Sequence, residues 1–264
     1  MSHNRLKALV LMISFVGVAG EAAEPVRLRV LSYNIHHAEG VDRRLDIKRI
    51  ASVIRAVKPD LVALQEVDRK VKRTEGGDQP AELAKLTKMR VVFGANIELQ
   101  GGHYGNAILS RFPIVRHKNH LLPNIDGSEQ RGVMEAEIKI PNSEASLLLL
   151  ATHLDFRADE RERLASAKVI DQLAAQNQTR PALLAGDLNA TPESKTLQLF
   201  ETMWARGNEQ AMPTVPVNQP TKQIDFILYR PQDRWQVIEV KVLDEAVASD
   251  HRAIFAVLEL RPSK

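Results

Sequence analysis

Short apolar runs with strand character recur along the chain, at residues 28–33, 61–65, 91–93, 107–110, 133–140, 147–152, 182–185, 226–229, 237–243 and 253–260. Residues 133–140 alternate, with Met134, Ala136, Ile138 and Ile140 on one face and Glu135, Glu137 and Lys139 on the other. Side chains of a strand point alternately to its two faces, so this pattern predicts a strand with one face in solvent. Residues 147–151, four leucines and an alanine, suit a strand covered on both faces.

Three helical patterns interleave with the strands. Ile47, Ile50, Ala51 and Ile54 form one apolar stripe, stopped by Pro59. Leu164, Ile170, Leu173 and Ala174 form a looser one, and the charge run from Asp159 to Arg163 before it reads as a solvated helix start with Asp159 as the N-cap. Thr191-Pro192 reads as an N-cap followed by proline at the first helical position, with Leu197, Phe200, Met203 and Trp204 as the buried face. Many strands, few helices and an alternating strand predict an α/β fold of the α+β type. The expected form is a four-layered sandwich of two packed mixed β-sheets flanked by helices, not a doubly wound parallel sheet.

The first residues follow a different rule. Arg5 and Lys7 precede an apolar run at 8–19, and small residues follow at Gly20, Ala22 and Ala23. That order of basic, apolar and small residues predicts a signal peptide over residues 1–22, and hence an exported protein, periplasmic or extracellular. The run is shorter than the ~20 residues that span a bilayer, so no transmembrane segment is expected in the mature chain. No linker, repeat or low-complexity segment follows Glu24, and residues 23–264 read as one domain. The chain contains no cysteine, which excludes disulfides and a lipid-modified cysteine. The formal net charge is +3, and removing residues 1–22, with Arg5, Lys7 and Glu21, lowers it by one. That near-neutral balance gives no electrostatic case for avid, non-specific binding of nucleic acid.

Polar residues interrupt these strands in a telling way. Asn34, Glu66, His153 and Asp187 each end an apolar run, Asp225 opens one, and Asp250-His251 sit just before another. A carboxylate at the mouth of a buried strand is costly unless it is paired or bound to a cation. Taken singly, Asn34 also reads as a turn cap, His153 as a buried structural histidine and Asp250 as an N-cap or turn residue. Six strand ends together suggest one shared cation site at the rim of two sheets. The ligands are oxygen-rich and there is no thiol, so Mg²⁺ is the expected metal and Mn²⁺ its substitute.

Seven segments then carry a resemblance. They are Ser32-Tyr-Asn34-Ile-His36, Leu64-Gln-Glu66-Val-Asp68, Tyr104-Gly-Asn-Ala-Ile-Leu-Ser-Arg-Phe-Pro-Ile114, Thr152-His153-Leu-Asp155, Gly186-Asp187-Leu-Asn189, Gln223-Ile-Asp225-Phe-Ile227 and Ser249-Asp250-His251. In this order they resemble the successive signatures of the endonuclease/exonuclease/phosphatase superfamily. The resemblance implies an exported, metal-dependent phosphoesterase with Glu66 as the principal metal ligand, completed or tuned by Asn34 and Asp250. It further implies that Asp225 and His251 form a carboxylate–imidazole pair, that Asp187 orients or deprotonates the attacking water, and that Asn189 and His153 hydrogen-bond the phosphate oxygens. His36, Asn106, Arg111 and Arg131 are further candidates for substrate contact. His37, the Arg69–Arg73 cluster and Asp78-Gln79 read as loop residues, the last over the site. The implied substrate is a phosphoester, nucleic acid or lipid head group. A nuclease-like hydrolase is expected first, a phosphodiesterase of a lipid head group or small phosphoester second, and a non-catalytic binding protein on the same fold as the rival from another class. A monomer without an obligate protein partner is expected.

Overall fold

Alternate residues of each central strand face two different apolar layers. In the computed structural model, which describes residues 24–141, 146–176 and 179–262, β1 (Val26–Asn34) turns Leu28 and Val30 into a layer between two sheets. Its Leu31 and Tyr33 face the opposite way, against α1 (Ile47–Ala56). The expected signal peptide lies outside the described residues.

The first sheet has the order β11-β12-β1-β2-β4-β3, built from β2 (Leu61–Arg69), β3 (Arg90–Leu99), β4 (Gly102–Ser110), β11 (Trp235–Val242) and β12 (Ile254–Leu260) around β1. The second has the order β5-β6-β7-β8-β10-β9. Its strands are β5 (Ile114–Leu121), β6 (Gly132–Lys139), β7 (Ser146–His153), β8 (Ala182–Asp187), β9 (Ala205–Arg206) and β10 (Asp225–Arg230). Both sheets are mixed: β1 and β2 run parallel, as do β7 and β8, and antiparallel strands flank each pair. A parallel pair needs a crossover, and α1 and α3 (Arg161–Ala175) supply them. With α2 (Gln79–Thr87) beside α1 and α4 (Lys195–Phe200) beside α3, the order is helix, sheet, sheet, helix. This is the expected four-layered sandwich. No helix of the described residues is long and apolar enough to cross a membrane.

The helices dock by the stripes their sequences carry. Asp46 caps α1 by accepting from the Arg49 N–H, and Ile50, Ala51 and Ile54 are fully buried. Each such isoleucine contributes roughly 1.5–3 kcal/mol by leaving water. On β7, Leu147 and Leu149 face the other sheet while Leu148 and Leu150 meet α3, so the leucine run is covered on both sides. On β6, Met134, Ala136 and Ile138 point inward and the two glutamates outward.

Four local expectations need correction. The fourth helix starts at Lys195, and Ser194, not Thr191, is its cap, accepting from the Leu197 N–H. The Asp159–Arg163 run is not wholly solvated: Asp159 accepts from the Arg161 N–H as a cap would, but Glu162 and Arg163 are buried. Glu162 accepts from the Ile125 N–H and from Arg157. Asp78-Gln79 opens α2, where Asp78 accepts from the Ala81 N–H. Lastly, β5 is an edge strand of mostly exposed polar residues, so it has no apolar run to announce it.

The strand directions decide where the chemistry gathers. The C-terminal ends of β1, β2, β7 and β8 lie together, and the antiparallel β10 and β12 begin at that same end, with Asp225 opposite Asp187 and Ile254 opposite Ser32.

Candidate active site

Glu66 reaches this end through an irregularity in its strand. The β2–β4 register slips between Leu64 and Val67, so that Gln65 and Glu66 together oppose Asn106, a β-bulge that re-aims the side chain. Glu66 has φ +57°, left-handed backbone that a non-glycine residue adopts only where its surroundings impose it. The strand therefore does not stop at Gln65; it continues through the bulge to Arg69. Asn34, at the end of β1, donates from Nδ2 to Glu66 Oε1 at 2.9 Å and to Asp187 Oδ2 at 3.1 Å. Its Oδ1 accepts from the His36 N–H. The amide thus ties the two carboxylates together as a donor, and its oxygen keeps a second lone pair beside the one that takes the His36 N–H.

Asp187 Oδ2 is the focus of the second sheet. His153 Nε2 lies 3.4 Å from it and His251 Nε2 lies 3.7 Å from it. Two neighbours set the states of these imidazoles. Arg131 can only donate, and its Nη1 lies 3.1 Å from His153 Nδ1; Nδ1 must accept, and the proton sits on Nε2, facing Asp187. Burial, then the nearby charges of Arg131 and His251, hold His153 well below the usual histidine range, so it is neutral. His251 is the opposite case. Burial works against its charge, but Asp225, 2.9 Å from Nδ1, together with Asp187 and Asp250, outweighs it and pushes the imidazole up to about 10. Burial and then repulsion from Asp225 raise the Asp187 carboxyl above its ordinary value.

Second contacts hold this set. Thr214 donates to Asp225 Oδ2 at 2.6 Å, leaving Asp225 Oδ1 buried without a partner. Asn189, with φ +46°, donates from its N–H to Asp187 Oδ1 and from Nδ2 to the Leu154 carbonyl. Ser249 donates to the Asn34 carbonyl, which anchors the Asp250-His251 segment against β1.

These residues floor a cleft of roughly 380 Å³, lined by Glu66, His153, Asp187, Asn189 and His251. Of the further candidates, His36 and Arg131 line it too. Asn106 is buried behind it and donates to the Gly132 carbonyl of the facing sheet. Arg111 does not belong to the site. It follows Ser110, which pairs with Leu61 at the start of β2, so Arg111 lies at the far end of the sandwich, where its Nη1 meets Asp60. The shared segment with Asn106 misleads because β4 runs from one end of the sheet to the other.

Several cleft residues escape sequence reasoning. His37, read as loop, is buried, its carbonyl held by Gln79 Nε2 at 2.7 Å. Arg73, read as surface, lines the cleft, paired with Asp68 and laid against the Tyr104 ring. Phe156 stands at the mouth, 68% exposed, with Ile97 and Leu99 among its fellow lining residues. A lone phenylalanine within Asp155-Phe-Arg-Ala-Asp-Glu160 is the one sequence signal that marks this rim.

The donors present fit a hard divalent cation. Glu66 is largely buried, and burial followed by repulsion from Asp250 raises its carboxyl; among the described residues no lysine or arginine forms an ion pair with it. Such a carboxylate is stabilised by a cation from outside the chain. The cluster of Asp187, Asp225 and His251 also brings three polar atoms within 4.8 Å of one another, but the charged His251 has no lone pair to offer, so it is an ion-pair network beside the cation rather than its ligand set.

Comparison with known proteins agrees with this geometry. The model of the Endonuclease/Exonuclease/phosphatase family matches residues 31–251. The uncharacterised protein YbhP of Escherichia coli strain K12 is 27% identical over 247 residues, covering 88% of this chain and 96% of its own. The crystal structure of an endonuclease/exonuclease/phosphatase from Beutenbergia cavernae is similar at TM-score 0.76 and 27% identity, over 89% of this chain and 72% of that one. In fold alone, the chain also resembles the mannosyl-6-phosphatase Bt3783 of Bacteroides thetaiotaomicron, at TM-score 0.72 and 20% identity over 88% and 99% of the two chains. Members of the matched family are in general metal-dependent hydrolases of phosphoesters, and this chain belongs to the endonuclease/exonuclease/phosphatase family.

Proposed function

We propose that this protein hydrolyses a small, head-group-sized phosphoester with a divalent cation, Mg²⁺ or Mn²⁺, held at Glu66 and Asp250. The observation that carries the reading is the convergence of Asn34, His153 and His251 on Asp187 Oδ2, on the floor of a cleft beside Glu66. When bound, the cation supplies Lewis-acid polarisation of the phosphoryl group. The chain's own residues do the rest. Asp187, with its raised carboxyl, takes a proton from the attacking water more readily near neutral pH than an ordinary aspartate. His251, held charged by Asp225, is a poor base and instead donates from Nε2 to a phosphoryl oxygen, as does neutral His153. Asn189, shaped by its left-handed backbone, donates its N–H to Asp187 Oδ1 and so fixes the carboxylate's orientation in the cleft.

The size of the reading comes from the walls. The cleft's two arginines are already answered by carboxylates, Arg73 by Asp68 and Arg131 by Glu129, which leaves no open basic track for a duplex. A nuclease-like activity on single strands is the second reading, and exposed Phe156 favours it, since a base stacks on such a ring. Purified protein assayed side by side with Mg²⁺ on plasmid DNA, RNA, sphingomyelin, sugar phosphates and a generic phosphodiester separates them. Rapid cutting of plasmid DNA with inert small esters defeats the head-group reading. Export is proposed from the amino-terminal pattern, and an intact Met1 in the native functional protein would refute it.

A further inference from the structure

We propose that His36 and His37, together with Glu66, form a second metal site that takes a borderline divalent cation of the Zn²⁺ class. It extends the reading above only in making Glu66 a shared ligand. One ring nitrogen of each histidine and one Glu66 carboxylate oxygen lie within 4.8 Å of one another. A tetrahedral cation at ~2.0–2.2 Å from each ligand holds ligand atoms ~3.3–3.6 Å apart, so the side chains must close in by up to ~1.5 Å. The two imidazoles stand edge to face, with centroids 4.5 Å apart.

The lone pairs are arranged for a metal. His36 Nδ1 lies 3.0 Å from the Glu39 carbonyl, which can only accept, so Nδ1 carries the proton and Nε2 is left as a lone pair. A histidine that ligates a metal commonly donates its other N–H to a backbone carbonyl in this way. His37 is 8% exposed, and its Nδ1 is buried without a partner. Its Nε2 lies 3.7 Å from Glu39 Oε2, beyond hydrogen-bond reach, and with the proton on Nε2 beside that carboxylate Nδ1 is the free basic atom. A buried nitrogen lone pair with nothing donating to it is costly unless something binds there.

The backbone points the same way. His36, His37 and Ala38 have φ of +43°, +40° and +63°, three successive non-glycine residues in left-handed backbone, a strained turn kept in place by Gln79 on the His37 carbonyl. That turn faces both rings to the cleft. Two imidazoles with one carboxylate suit zinc and its neighbours better than Mg²⁺.

The test uses tag-free protein, stripped with chelator and returned to excess Mg²⁺, then titrated with Zn²⁺ by calorimetry and with Co²⁺ by visible absorption. The expected result is one Zn²⁺ site in the presence of Mg²⁺. Changes beside a ligand alone cost ~10–100-fold in affinity, so the H36Q/H37Q variant should lose more than ~100-fold, with loss of the intense low-coordinate Co²⁺ spectrum. Unchanged Zn²⁺ affinity in that variant, or no Zn²⁺ bound by the wild type under Mg²⁺, overturns the proposal. If H37Q folds poorly, H36Q alone must weaken Zn²⁺ by at least ~10-fold with unaltered thermal unfolding of the metal-free form. Phosphoester hydrolysis under Mg²⁺ alone is measured in parallel. Zn²⁺ bound through the two histidines by a protein that hydrolyses nothing supports the site and defeats the hydrolase reading instead.

Discussion

Arg131 holds His153 in one tautomer: Nη1 donates to Nδ1 across 3.1 Å, and the ring's single proton therefore points from Nε2 at Asp187. Arg131→Met keeps most of the bulk and removes the donor. Turnover should fall ~10–100-fold, the range seen when an outer partner of a functional histidine is lost, with metal affinity unchanged. Nitrogen NMR of His153 checks the cause directly, and an unaltered Nε2–H tautomer in the variant rules this account out.

Asp225 and His251 act through one another, since the carboxylate orients and charges the ring. His251→Ala and Asp225→Ala should each lower kcat by ~10²–10⁴-fold. The double variant should be little worse than either, because residues acting as a unit are non-additive. Losses that multiply would show that Asp225 works independently.

Glu66→Gln keeps the shape of the side chain and removes its charge. Burial and Asp250 both disfavour that charge in the metal-free protein, so the metal-free variant should melt no lower than the wild type. Mg²⁺ should raise the melting temperature of the wild type only, because a ligand bound by the native state alone stabilises it. A calorimetric scan with and without Mg²⁺ decides, and an equal rise in both proteins excludes Glu66 as the main ligand.

Asp171 offers a pH test away from the cleft. Its carboxyl accepts from Trp204 Nε1 at 2.8 Å, and burial pushes it up to about 6. The folded state therefore holds this proton more tightly than the unfolded chain. The stability it contributes is complete below the ordinary carboxylate range and is lost as pH rises towards about 6. Asp171→Asn keeps an acceptor for Trp204 and should be more stable than the wild type near pH ~8 and indistinguishable near pH ~4. Urea unfolding at both values measures it; a variant weaker at the higher pH contradicts the assignment.

Gly186 precedes Asp187 on β8 and pairs with Thr152 of β7. A Cβ there would stand 2.0 Å from the Thr152 carbonyl oxygen. Gly186→Ala must part the two strands that carry His153 and Asp187, at a cost of ~1–3 kcal/mol or more for overpacking. Lower thermal stability together with lost turnover is the expected pair of results, and a variant with wild-type turnover shows that the strands adjust without disturbing the site.

The buried strands and their polar ends were legible because both follow from short-range rules. Leu147 to Leu150 suit a doubly covered strand, and a glutamate after Leu64-Gln65 must have some compensation. What stayed hidden depends on long-range placement. The Glu66 bulge arises from pairing with β4, which no local pattern records. Arg73 and His37 join the cleft because Asp68 and Gln79, brought together by the fold, hold them there. Arg111 shares a motif with Asn106, but five residues of extended chain carry it ~17 Å away. The edge strand β5 has too little apolar content to be seen at all.

The two sheets divide the labour. Asn34, Glu66 and Asp250 come from β1, β2 and the approach to β12, all of the first sheet, whereas His153, Asp187, Asn189 and Asp225 come from the second. In the proposed reading the cation's carboxylates, Glu66 and Asp250, stand on one slab and the water-activating Asp187 on the other, with His251 of the first slab reaching across to Asp225 and Asp187. The join is made by Asn34 to Asp187 and His251 to Asp225. Shear along the dry seam between the slabs would leave each half-set intact and only misalign them. Trimming a methyl from that seam, as in Ile138→Val, should thus tell on turnover before it tells on metal binding, so that the proposed activity would be tuned from the core.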